Sequence, residues 1–284
     1  MVRRQRMGRA ELVYRHSAWI RLTHWMWAIS LFFLLLSGLQ IFNAHPTLYF
    51  GDQSGFSFDN AVLAIGARDA GSEVRGYTEI LGRQFDTTGF LGVSTMAEEQ
   101  QTRAFPAWMT IPSFQDLATG RVVHFFFAWL LAFTLLTWLI ASALNGHLRR
   151  DIAPKVEDLR RLPGDIAAHA KFRLSHGREY NTLQKLSYAG VLLVLLPLMI
   201  LTGLAMSPAM NAAVPWLPEL LGGRQTARTI HFAAMLLLVA FFMVHIAMVV
   251  LAGPLNELRS IITGWYRIDT PDTGDDAAQK GSRS

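Results

Sequence analysis

The sequence predicts an all-α integral membrane protein: a four-helix transmembrane bundle with a long extracytoplasmic insert between helices 1 and 2. Three observations predict it. Of 284 residues, 51% are hydrophobic. Four stretches of about 20 residues hold no carboxylate, Lys or Arg, which is the length that crosses a hydrocarbon layer ~30 Å thick. The charges between those stretches are sorted by sign, and lipid-facing termini and loops sort charge in this way.

Composition narrows the chemistry. There is no cysteine, which excludes disulfides, iron–sulfur ligation, thiolate zinc and the C-x-x-C-H attachment of c-type haem. A bound haem would be the non-covalent b type, held by His or Met. The net charge of +5 is read as basic loops beside a membrane, and no nucleic-acid partner is expected.

Residues 1–21 carry six Arg and one Glu. The apolar run that follows is too long for a cleaved signal and lacks a small-residue cleavage site. The first span covers about 22–42, with Trp19, Trp25 and Trp27 suited to the interfacial belt. The insert, 43–120, holds nine acidic and four basic residues and many Gly. Its weak periodicity suggests short helices lying over the bundle, with Phe105–Pro112 as a lipid-grazing piece. The second span is about 122–144. The loop at 147–185 has nine basic and five acidic residues and reads as solvated. The third span is about 186–206 and the fourth about 229–252. The tail, 269–284, is polar and expected to be disordered. The whole chain, 1–284, is one membrane domain.

Basic segments face the cytoplasm. Both termini and the 147–185 loop are therefore expected there. The 43–120 insert is expected outside, in the periplasm if the membrane is the inner membrane of a Gram-negative bacterium.

Of nine histidines, four lie within the spans: His24, His124, His231 and His245. His231 and His245 are 14 residues apart on one helix, which returns the second to within ~40° of the first after a rise of ~21 Å. An ionisable group at that depth is a functional-site candidate. Sorting by depth pairs His124 with His231 and His24 with His245. Each pair can ligate one iron from opposite sides, giving two haem b groups (iron protoporphyrin IX). A bis-His iron keeps no open position for substrate, which suits electron transfer.

The sequence repeats itself. Gly120-Arg121-Val-Val-His124-Phe echoes Ala227-Arg228-Thr-Ile-His231-Phe, and Ser37-Gly38-Leu39 echoes Thr202-Gly203-Leu204. Arg21, Arg121 and Arg228 each stand three residues before a candidate ligand, where Arg can meet a haem propionate. Gly38 and Gly203 serve either close approach of a flat macrocycle or helix–helix packing. No residue is expected to do bond-making catalysis.

Arg21-Leu-Thr-His24-Trp, Gly120-Arg-Val-Val-His124-Phe and the His231-x13-His245 spacing resemble the bacterial membrane b-type cytochromes. That group is cytochrome b561-like and includes the formate dehydrogenase gamma subunit and the cytochrome subunits of nickel–iron hydrogenase and thiosulfate reductase. The likeness covers all spans but the third. There, Tyr180-Asn181-Thr-Leu-Gln184-Lys185 and Leu201-Thr-Gly203-Leu resemble the branch paired with molybdopterin oxidoreductases. The insert is a departure from the shorter members. The resemblance implies an electron-transfer subunit between a membrane quinone and an extracytoplasmic redox partner of the molybdopterin type. Its quinone site would lie near His24, His147, Tyr180, Asn181 and Gln184. Two other readings stand beside it. One is a self-contained membrane oxidoreductase passing electrons between quinone and superoxide or ferric iron. The other is a His-lined metal transporter, which would ordinarily add intramembrane Asp or Glu.

Overall fold

The computed structural model describes residues 4–7, 10–55, 57–96, 98–148, 150 and 182–269. Most of the 147–185 loop and the tail beyond 269 lie outside them. Among the described residues, four helices are long and apolar enough to cross a membrane: Ala18–Asn43, Leu117–Leu144, Lys185–Ala205 and Arg224–Ala252. The all-α expectation is corrected. The described residues also form three antiparallel sheets, and the expected short helices over the bundle at 43–120 are largely strands.

The described chain forms two compact units, Ile29–Val239 and the pair of segments Met1–Ala28 and Ala240–Ser284. In the first unit, α1 (Ala18–Asn43) contributes from Ile29 onward. The insert then folds as β3 (Thr47–Tyr49), β4 (Ala61–Ala70), β5 (Glu73–Ile80) and β6 (Arg83–Asp86), hydrogen-bonded in that order, with the separate hairpin β7 (Gly92–Met96) and β8 (Glu99–Arg103). The hairpin packs across β4 and β5 so closely that a Cβ at Gly92 would stand 2.0 Å from the Gly66 carbonyl oxygen. A Cβ at Gly76 would stand 2.3 Å from that of Leu91. Glycine is the residue that permits such backbone contact.

The insert is packed onto the helices. Leu39 and Phe42 of α1 join Leu48, Ile65, Ala104 and Phe105 of the insert in one buried cluster, with Phe232 and Met235 against it. Buried Arg103 donates from Nη1 to the Ser113 carbonyl at 2.7 Å. Its Nη2 donates to Gln40 Oε1 at 2.7 Å and to Thr110 Oγ1 at 2.9 Å. These bonds match both terminal nitrogens of a buried guanidinium and tie the insert to α1.

The helix α2 (Leu117–Leu144) starts where Asp116 accepts from the Thr119 N–H at 3.0 Å. Side-chain capping of this kind satisfies an orphan donor of the first turn. A hydrogen bond with the Thr119 side chain, and then this backbone bond, hold the Asp116 carboxyl below the usual carboxylate range. The third span is not one regular helix. It runs as α3 (Thr182–Gly190), a π turn (Val191–Leu195) and α4 (Leu196–Ala205). Pro197, at the start of α4, has no N–H to give to the preceding turn, and a π turn takes up the mismatch. Short helices α5 (Pro208–Ala213) and α6 (Trp216–Leu220) lead to α7 (Arg224–Ala252).

The second unit holds the first turns of α1, the last of α7, α8 (Pro254–Thr263) and a sheet of β1 (Arg4–Met7), β2 (Ala10–Tyr14) and β9 (Trp265–Asp269). Gly253, at φ 103, turns the chain from α7 into α8. Asn256 pins α8 to β9, accepting from the Arg267 N–H at 3.0 Å and donating to its carbonyl at 2.8 Å.

Candidate functional site

Each unit brings one pair of histidines together. In Ile29–Val239, His124 of α2 faces His231 of α7 with ring centroids 6.4 Å apart and planes at 59°. In the other unit, His24 of α1 faces His245 of α7, also at 6.4 Å, with planes at 51°. These are the two pairings that depth alone selects from the sequence.

The spacing has chemical meaning. Imidazole nitrogen sits about 2 Å from a bound metal, so an ion held between two imidazoles separates the ring centres by about 6 Å. Among the described residues no group of three or more His, Cys, Asp or Glu could hold a metal. Two-donor sites of this kind suit a metal whose remaining ligands come from elsewhere, as the four porphyrin nitrogens do.

The His124–His231 pair is supported from behind. Nδ1 of His124 lies 3.1 Å from Ser37 Oγ. Nδ1 of His231 lies 2.9 Å from Thr202 Oγ1. Ser37 and Thr202 are both fully buried. The neighbouring glycines face the same rings. A Cβ at Gly38 would meet His124 Cε1 at 3.3 Å, and one at Gly203 would meet His231 Cε1 at 3.6 Å. The glycines thus stand against the imidazoles. The sequence alone does not single out Ser37 and Thr202, although both lie within its repeated Ser/Thr-Gly-Leu motif.

The His24–His245 pair is framed differently. His245 stacks on Phe241 at 6.0 Å, and His24 meets Trp25 edge-on at 5.5 Å. Nδ1 of His24 is buried with no hydrogen-bond partner among the described residues. One turn away on α1, Arg21 Nη1 donates to the Ile262 carbonyl at 2.6 Å, and Trp25 Nε1 donates to that of Ile261 at 3.4 Å.

The other expected site residues are placed as follows. Arg228 donates from Nη1 to the Thr47 carbonyl at 3.1 Å and from Nη2 to that of His45, so it anchors the start of the insert. Arg121 lies over the Phe125 ring at 5.6 Å. His147 meets Trp138 edge-on at 6.3 Å. Tyr180 and Asn181 lie outside the described residues, and Gln184 belongs to α3 without a described side chain.

The chain is similar to a protein of Azospira oryzae named a putative protein-methionine-sulfoxide reductase subunit, YedZ1. The two are 27% identical over 243 residues, covering 85% of this chain and 92% of that protein. Residues 15–264 match the family described as prokaryotic cytochrome b561. With four apolar spans and paired intramembrane histidines, the chain belongs to the prokaryotic cytochrome b561 family and is a multi-pass, haem-binding electron-transfer protein of the membrane.

Proposed function

We propose that the chain binds two b haems, one at His124–His231 and one at His24–His245, and carries electrons between a quinone and a redox partner outside the cytoplasm. One observation carries this reading: two imidazole pairs, each with ring centres 6.4 Å apart, a separation that would let each pair hold one iron. The residues present fit that group. At one pair buried hydroxyls meet the Nδ1 atoms, so Nε2 would be the atom free to hold iron. At the other, the two rings face each other at the same separation. When bound, b haem would supply a one-electron couple, which suits electron transfer.

The chain's own part is to hold and orient. The four histidines would hold the group at each pair, and α7 supplies one member of each. Gly38 and Gly203 keep bulk away from the two supported rings. The positive excess in residues 1–21 and 147–185 supports cytoplasmic termini in an inner membrane and an external insert. The acidic insert would then be a docking surface for the partner. The relative's name, a putative reductase subunit, supports a partner subunit, and the family resemblance favours a molybdopterin enzyme. His147, Tyr180, Asn181 and Gln184 remain the residues proposed for the quinone.

A reduced-minus-oxidised spectrum of detergent-purified protein, with haem stoichiometry, tests the reading. Two b haems per chain are expected. A colourless protein made with ample haem would refute it.

A further inference from the structure

The buried hydroxyls beside His124 and His231 have their own hydrogen-bond logic. Ser37 Oγ lies 2.6 Å from the Phe33 carbonyl, and Thr202 Oγ1 lies 2.7 Å from that of Leu198. A carbonyl only accepts, and a hydroxyl has one hydrogen to give. That hydrogen goes to the carbonyl in each case. The contact to histidine therefore runs the other way, with Nδ1–H donating to the hydroxyl oxygen, beside the backbone carbonyls of Leu34 and Met199, which also accept from these two rings. Each hydroxyl relays polarisation from a helix carbonyl to an imidazole, in a region closed to water.

Two consequences follow. The tautomer is fixed, with the proton on Nδ1 and the lone pair on Nε2. The ring is also made more basic, because its N–H is drawn toward an acceptor. A more basic axial ligand favours the oxidised metal. At the other pair, His24 Nδ1 has no such acceptor among the described residues.

We propose that Ser37 and Thr202 are positioning residues that tune one redox centre and not the other, holding His124 and His231 as Nδ1–H donors and making the haem there harder to reduce. This rests on the ligand assignment above. No bond is made or broken. The hydroxyls bias a one-electron equilibrium through the ligands.

The test is a redox titration of purified Ser37→Ala, Thr202→Val and the double variant, followed in the haem spectrum. Thr202→Val keeps the β-branched shape and removes only the hydroxyl. One of the two haem transitions is expected to move toward easier reduction, by several-fold in each single variant. The double variant should reach about tenfold, which is about 59 mV for a one-electron couple. The second transition should stay at its wild-type value, and Ser37→Thr and Thr202→Ser should restore the first. Two intact haems whose potentials ignore both hydroxyls would overturn the proposal, as would equal shifts in both transitions. If Ser37→Ala loses a haem, Thr202→Val still decides, and an unmoved potential there counts against tuning. A wild-type protein without two haems would instead defeat the ligand assignment, which is a separate outcome.

Discussion

At His124–His231 each ring is held by a hydroxyl and a glycine from another helix, while at His24–His245 the rings are framed by aromatics and one nitrogen has no hydrogen-bond partner among the described residues. The ring separation is the same, 6.4 Å, in both. The difference traces to the sequence repeat. In each repeat a Ser/Thr-Gly pair on one helix meets an Arg-x-x-His on the next: Ser37-Gly38 with His124, and Thr202-Gly203 with His231. One site is thus assembled symmetrically from two similar hairpins. His24 has an Arg-x-x-His of its own, but among the described residues no Ser/Thr-Gly pair meets it, and the surroundings of His24 and His245 are fixed by other contacts, such as those of Arg21 and Trp25 to α8. A shared donor spacing therefore does not imply a shared environment, and the two centres should respond separately to change.

The largest test of that independence is removal of a proposed haem ligand. His124→Ala should abolish one haem and spare the other, and His245→Ala should do the reverse. Haem per chain, read from the reduced spectrum, should fall from two to one in each. Loss of both from either variant would show that the sites form as one cooperative unit. The glycines give a graded version. Alanine at Gly38 places a Cβ 3.3 Å from the His124 ring, tighter than ordinary contact, whereas alanine at Gly203 sits at 3.6 Å from His231. Overpacking of this kind costs about 1–3 kcal/mol. Gly38→Ala should lower haem retention at the first pair, Gly203→Ala should lower it less, and neither should touch the second pair. Equal effects would mean that the glycines face something other than the rings.

The helices and the pairing are legible in the sequence because hydrocarbon leaves strong marks. A run of membrane length without a carboxylate, Lys or Arg is rare in a chain that stays in water, and an intramembrane histidine stands out against it. The hydroxyls are not legible in the same way. Ser37 and Thr202 also bond to carbonyls one turn back, as Ser and Thr in apolar helices ordinarily do. Only the facing histidine distinguishes them, and that contact spans 87 residues in one case. The insert hides its strands for a different reason. Strands announce themselves by large apolar residues at alternate positions, yet the buried positions of β5 are Gly76 and Thr78. The close crossing of β7 requires small residues there, and small residues erase the alternation. The turn residues Gly71, Gly82 and Gly89, spaced at hairpin intervals, are the remaining signal.

The insert also supplies a test confined to one side of the comparison. Arg103 is buried and joins the insert to Gln40, only two residues beyond Gly38 on α1. Arg103→Leu would leave the buried Gln40 Oε1 without its donor, and a buried acceptor left this way costs about 1–3 kcal/mol. The thermal midpoint for haem loss should fall at His124–His231 and hold at His24–His245. An unchanged midpoint would mean that the apolar cluster around Phe42 and Phe105 holds the insert without help.

The smallest effect expected is a dependence on pH. His45, just beyond α1, stacks on Tyr49. Burial and then the Arg228 guanidinium hold its pKa below the ordinary 6.5. The folded chain therefore takes up this proton less readily than the unfolded one. By linkage, stability from this group is intact above about pH 6.5 and declines as pH falls through that value. Hydrogen exchange along 45–49, compared between about pH 7.5 and about pH 5, should quicken on acidification, and His45→Gln should flatten the change. In the other unit, burial and then Arg15 lower the pKa of His16 in the same direction. His45→Gln should accordingly leave the acid response of residues 14–16 as it was. If that response is lost too, the two units are coupled, and the separate behaviour expected of the two centres fails with it.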